Sequence, residues 1–254
     1  MKLIDTHTHL YVSEFKDDIE AVIERATKEG VEKFYLPSID STESEALLQL
    51  EKQFPQQIFA MAGLHPCYVK EDYKEELSKV EQQLTKRKFA AIGETGLDFY
   101  WDTTFKNEQY ESLRTQAEWA IKYNTPLVLH TRNAMQETID VIKSYSDNNL
   151  RGIFHCFSGT KEDAQEIIKM GFLLGIGGVL TYKNSGLDKV VQEIDLSHLV
   201  LETDAPYLSP VPFRGKRNES SYLKYICEKL AEIKQINAEE VARITTENAE
   251  KMFG

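Results

Sequence analysis

Short apolar runs alternate with longer amphipathic stretches along the whole 254-residue chain. The apolar runs read KLIDTH (2–7), KFYLPSI (33–39), QIFAMAGLH (57–65), FAAIGETGLD (89–98), PLVLHTR (126–132), GIFHCFS (152–158), GFLLGIGG (171–178) and LVLETDAP (199–206). Each is short, bounded by polar or turn residues, and reads as a buried strand. Between and after them, apolar residues recur at helical spacing in 17–30, 41–54, 73–87, 107–124, 133–145, 161–170, 220–234 and 238–253. Several of these begin at Ser, Thr, Asp or Asn and some end at Gly or Asn, as capped helices do. Eight strand–helix units in this length predict a (β/α)8 TIM barrel forming a single domain over 1–254. An open doubly wound sheet would carry a glycine-rich phosphate loop after its first strand, and THTHLY stands there instead.

The polar residues that interrupt the apolar runs cluster at one end of them. His7 and His9 close the first run, His65 the third, Glu94 the fourth, His130 the fifth and His155 the sixth; Glu202 and Asp204 close the eighth. In a (β/α)8 barrel those strand ends converge on one face, where active sites are built. His198 alone among the six histidines precedes its strand, which makes it structural or exposed at the opposite end. Strand alternation puts Asp5, His7 and His9 on one face, with Asp5 a layer below His7.

His7, His9, Glu94, His130, His155 and Asp204 outnumber the ligands of one four-coordinate ion. They suit two divalent ions: His7, His9 and Asp204 on one, His130 and His155 on the other, with Glu94 reaching both. Mixed imidazole and carboxylate donors suit Zn or Mn better than a pure Mg site, without fixing the ion. Cys156 should face away from His155 by alternation, and neither it nor Cys67 is expected as a ligand.

A net charge of −11 argues against a broad basic surface for a polyanion, so any nucleic-acid contact must rest on local cations and bound metal. Three widely spaced cysteines suit a reducing compartment rather than a disulfide framework. No apolar stretch has the length of a membrane span or the form of a signal peptide. A monomer in the cytoplasm, with no membrane partner, is the expectation.

The set DTHTHL, AGLHP, GETGLDFY, LHTR, FHCFSG and ETDAPYLSPVPFRGKRNES runs in order from the first strand to the last helices. It resembles the TatD family of metal-dependent deoxyribonucleases, within the amidohydrolase-like superfamily. The resemblance implies the two-ion partition above, with Glu94 bridging, and hydrolysis of DNA phosphodiester bonds, typically from the 3′ end. One departure stands out. The family commonly has Asn-Glu-Pro after the last strand, where this chain has Asn218-Glu219-Ser220. That change is expected to alter how the loop meets substrate and not metal binding.

Chemistry of this kind gives each remaining residue an expected role. Two ions about 4 Å apart would activate water and offset charge on the phosphate. Asp204 would steer or deprotonate the attacking water, and His65 would donate to the phosphate or the leaving group. Arg132, Arg214, Lys216 and Arg217 would grip phosphates, while Phe99, Tyr100 and Trp101 would stack on bases of a short single strand or 3′ end. Asp5 and Asp98 would support ligand imidazoles, and Glu202 would orient a histidine or hold an extra ion. The rival reading is an amidohydrolase cleaving C–N bonds, such as a deaminase or cyclic amidase. Dinuclear enzymes of that kind often bridge their metals with a modified lysine on the fourth strand, where this chain has Glu94. A metal-binding protein without catalysis is the weaker alternative.

Overall fold

The computed structural model describes residues 1–145 and 148–254. Eight strands occupy the predicted runs: β1 Leu3–Asp5, β2 Val31–Leu36, β3 Ile58–Ala60, β4 Ile92–Asp98, β5 Leu127–Arg132, β6 Gly152–Phe154, β7 Phe172–Ile176 and β8 Leu199–Leu201. All pairings are parallel and sequential, in the orders β1-β2-β3 and β4-β5-β6-β7-β8. Backbone hydrogen bonds close both seams. Ala90 N donates to Ala60 O at 2.9 Å and Gly93 N to Ala62 O at 3.0 Å, joining β3 to β4. Thr6 N donates to Leu201 O at 3.1 Å and Asp204 N to His7 O at 2.9 Å, joining β8 to β1. The result is the (β/α)8 barrel that the alternation predicts.

The helices surround it: α1 Ile19–Lys28, α2 Ser44–Gln53, α3 Tyr73–Lys86, α4 Lys106–Tyr123, α5 Met135–Lys143, α6 Lys161–Lys169, α7 Leu187–Glu193, α8 Leu223–Lys234 and α9 Ala238–Phe253. Local chemistry sets several ends. Thr160 and Asp163 form a capping box on α6, Asn237 caps α9, and Asn124 ends α4 in the left-handed region at φ 49°. Helix α7 is the one the pattern does not predict. At seven residues it spans two turns, too few for a helical period to stand out.

The core lies in two shells. The larger packs strands against helices; the smaller fills the barrel interior with Ile4, Tyr35, Met61, Ala91, Val128, Ile153 and Val200, closed below by Ala249 and Met252 of α9. Five of the strands and two strand extensions each put one of these side chains into the floor, and it fixes which residues point inward above it. Counting up by two from Val128, Ile153 and Val200 reaches His130, His155, Glu202 and then Asp204. From Met61, two such steps reach His65. On β1 and β4 the count fails. On β1 the strand ends at Asp5, so parity from Ile4 does not carry to His7, and on β4 the pairing shifts register between Ile92 and Thr95, so His7 and Glu94 turn inward where parity would bring Thr6 and Thr95. An extra residue in one strand re-aims side chains in this way.

Candidate metal centre

At the C-terminal mouth of the barrel the predicted residues converge on Glu94, which is 1% exposed. Its Oε1 lies 2.8 Å from His130 Nδ1, 3.0 Å from His155 Nε2 and 3.3 Å from His65 Nε2. Its Oε2 lies 3.1 Å from His7 Nε2 and 3.7 Å from His9 Nε2. Asp204 Oδ1 completes the second group, 3.7 Å from His7 Nε2 and 3.4 Å from His9 Nε2. One carboxylate therefore faces two sets of imidazoles, one set per oxygen.

These separations fit a coordinated cation. Ligand bonds of 2.0–2.2 Å in a tetrahedron put neighbouring donor atoms about 3.4 Å apart. His7, His9 and Glu94 form one group able to hold an ion, His7, His155 and Asp204 a second, and His65, Glu94 and His130 a third.

The partners of each ring decide which nitrogen keeps a lone pair. Tyr11 Oη donates to Pro37 O at 2.7 Å, so it accepts from His9 Nδ1, 3.3 Å away, and leaves His9 Nε2 as a donor to metal. Asp98 Oδ2 takes the Nε2 proton of His130 at 2.9 Å, which leaves Nδ1 facing Glu94. His155 Nδ1 lies 3.4 Å from Glu202 Oε1, out of hydrogen-bond alignment, with Nε2 facing Glu94. His65 is the reverse. Its Nδ1 accepts from Cys67 N at 3.0 Å, so Nε2 carries the proton and is a donor rather than a ligand. The rings of His7 and His155 stack at 3.7 Å. His7 Nδ1 is buried without a partner.

Electrostatics match the geometry. Burial works against ionisation of Glu94, yet His155, His65, His7 and His130 hold its carboxyl well below the ordinary range. Asp98 is likewise held down against burial, by the His130 hydrogen bond and by the backbone N–H groups of Trp101 and Tyr100. Gly96 lets β4 lie this close to β5. At φ 141°, a Cβ there would sit 2.0 Å from His130 O.

Other residues stand apart from their sequence expectations. Asp5 touches no imidazole. It accepts from Thr203 N at 3.0 Å, Thr203 Oγ1 at 2.6 Å and His7 N at 3.4 Å, bracing the backbones that carry His7 and Asp204. Strand β1 ends at Asp5, so the alternation invoked for Asp5, His7 and His9 does not run through them. Burial pushes the Asp5 carboxyl up to about 7, with hydrogen bonds from Ser220 and Thr203 opposing. Ser220 is fully buried behind the site, 3.4 Å from Thr8 Oγ1, and not on a substrate-facing loop. Cys156 does not turn away from His155. A left-handed backbone at φ 45° brings its thiol into a group with His155 and Glu202. Its N–H donates to Glu202 Oε1 at 2.5 Å, while Glu202 Oε2 is buried without a partner. Gly175 makes room for that carboxylate, since a Cβ would meet Oε2 at 2.2 Å.

Around the rim, Arg132 lies over the rings of Tyr100 at 4.0 Å and Trp101 at 5.0 Å, and Arg214 over Tyr182 at 3.8 Å. Lys216 has no carboxylate partner among the described residues. Arg217 is withdrawn from phosphate duty: it pairs with Asp18 at 2.8 and 2.7 Å and packs on Phe15. Phe99 is part-buried against the core under Lys106. His198 lies just ahead of β8, at the far end from the mouth. Tyr11, Tyr68 and Tyr207 border the histidines and carry no sequence signal beyond their place near strand ends.

Known proteins converge on the same reading. A family model described as TatD related DNase matches residues 4–254. A metal-dependent hydrolase of Bacillus subtilis, YabD, is 40% identical over 252 residues, covering 99% of this chain and 98% of its own. The crystal structure of YjjV, a TatD homologue of Escherichia coli, is 30% identical and superposes with a TM-score of 0.93 over 99% of this chain and 97% of its own. A TatD family hydrolase from Entamoeba histolytica, 24% identical, shares the fold with a TM-score of 0.85 over 100% and 98%. With its fold, its motifs and this match along nearly its whole length, the chain belongs to the TatD-related DNase family.

Proposed function

We propose that the protein is a metal-dependent deoxyribonuclease that hydrolyses DNA phosphodiester bonds from the 3′ end of single strands. Two divalent ions would be held by His7, His9 and Asp204 on one side and by His130 and His155 on the other, with Glu94 shared. The observation that supports this most is the division of Glu94, whose two oxygens face separate imidazole sets. Ions held there would supply a Lewis-acidic field able to activate water near neutral pH and to offset charge growing on the phosphate.

The chain's own residues do the rest. Asp204 sits at the mouth on the His7–His9 side and accepts a proton from water or steers it toward phosphorus. His65, protonated at Nε2, donates to a phosphate oxygen or to the leaving sugar oxygen. Arg132, Arg214 and Lys216 supply the local cations that a chain of net charge −11 needs to hold phosphates. Mixed nitrogen and oxygen donors favour Zn or Mn over Mg.

The test is a nuclease assay after chelation and reloading with Zn, Mn or Mg, on 3′-labelled single-stranded, duplex and mismatched ends. Cyclic amides run in parallel. Shortening from the 3′ end of the single strand is the expected result. Turnover of an amide with the DNA left intact would favour the C–N hydrolase.

A further inference from the structure

Eight large apolar side chains are exposed among the described residues, and six of them border the mouth of the barrel. Tyr68 follows β3, Tyr100 and Trp101 follow β4, and Tyr207, Leu208 and Val211 follow β8. Only Met1 and Ile236 lie elsewhere. Exposed apolar area concentrated around one site marks a binding surface rather than chance exposure.

Two of these rings are placed symmetrically about Glu94. Tyr68 lies 6.0 Å from the His65 ring, and His65 faces Glu94 Oε1. Tyr207 lies 5.9 Å from the His9 ring, and His9 faces Glu94 Oε2. Both contacts are steep, at 84° and 67°, so neither phenol is stacked face to face on its imidazole. Tyr68 is 45% exposed and Tyr207 48%, which leaves ring surface open to a ligand. A small cleft of about 80 Å³ opens between Pro66, Lys70, Trp101 and Phe105, lined by both sequence neighbours of Tyr68.

A phosphodiester held at Glu94 carries one nucleoside on each side. We propose that Tyr68 and Tyr207 are two base-stacking shelves, one on each flank of the metal cluster, that hold the two nucleosides joined by the scissile phosphate. This rests on the nuclease reading above and adds the ligand of each flank. Every base offers a π-face, so such shelves tolerate any sequence, but they require bases that are not stacked in a duplex. Arg132, 4.0 Å from the Tyr100 ring and 5.0 Å from that of Trp101, extends the Tyr68 flank with a guanidinium group on which a base or phosphate can rest.

The test uses the full chain with metal and four substrates: a 3′-labelled single strand, the same strand with an abasic sugar on one or the other side of the scissile phosphate, and a fully abasic end. Tyr68→Leu and Tyr207→Leu are expected each to raise KM on the intact strand about tenfold, with kcat changed far less. Each penalty should vanish when one particular flanking base is missing, a different base for each variant. Tyr68→Phe and Tyr207→Phe should restore the wild-type KM. Unchanged KM in either leucine variant, or penalties independent of which base is missing, would overturn the shelves while leaving the nuclease intact. A wild-type enzyme that cuts none of the four strands brings down the nuclease reading itself, and the shelves with it.

Discussion

The floor and the mouth of the barrel are built from the same strands, two residues apart, and could hardly differ more. Val128, Ile153 and Val200 form a dry layer, fully or almost fully buried, whose contribution is packing. His130, His155 and Glu202, directly above them, form a layer of buried or half-buried polar groups whose desolvation is offset by neighbouring polar groups, Glu94, Asp98 and Cys156 N among them. Stability is concentrated below and chemistry above, as barrels of this type divide their labour. The floor also acts as a template, because its alternation sets the direction of the residues that follow.

That separation can be broken from either side. Glu94→Ala removes the carboxylate shared by both imidazole sets. Turnover is expected to fall by about a thousandfold or more and bound metal to drop, while the melting temperature of the chelated protein holds. Metal analysis alongside the nuclease assay checks it, and full metal content with unchanged turnover would refute the bridging role. Met61→Ala tests the other layer. It opens a cavity in the floor and should cost about 2–5 kcal/mol in chemical denaturation, while the folded fraction keeps its metal and its kcat.

Glu202→Gln sits between the two layers and sharpens the contrast. Glu202 is buried beside His155, with one oxygen unpartnered. Loss of its charge should weaken metal binding by about 10–100-fold through the orientation of His155, with stability unchanged or raised. A competition titration with a chelator reads the first effect and thermal denaturation the second. Equal affinity in the variant would make Glu202 a bystander. The smallest effect is expected from Ser220→Pro, which installs the proline that the sequence resemblance leads one to expect. Glu219 already has the extended backbone, φ −150° and ψ 156°, that a residue before proline adopts. The change removes the Ser220 hydroxyl beneath the site and an N–H that has no backbone partner among the described residues at the start of its turn, so stability should move by less than about 1 kcal/mol. A larger loss in denaturant would show that Asp5 depends on that hydroxyl to stay buried.

The parts of this site legible in the chain were those tied to strand parity. His130, His155 and Asp204 follow from apolar neighbours two or four residues earlier, and Glu94 stood out by its place between glycines, although it lies near the start of β4 rather than closing it. Other features depend on contacts that no local pattern encodes. Arg217 reads as a free cation until Asp18, distant in sequence, is brought beside it. Cys156 escapes alternation because its backbone leaves the strand in the left-handed region. Asp5 supports backbone rather than imidazole because β1 stops at that residue.

By itself, then, the sequence determined the barrel, the end of it that carries chemistry, and the residue types available there, since these depend on periodicity and on order along the chain. Tertiary structure alone decided which oxygen of Glu94 meets which histidines, which ring nitrogen of each histidine is free, and which arginines remain open to phosphate. The partners of His65 and His9 are two residues away, but those of His7, His130 and Arg217 lie 87, 32 and 199 residues away, at distances and in hydrogen-bond directions that exist only once the strands have closed.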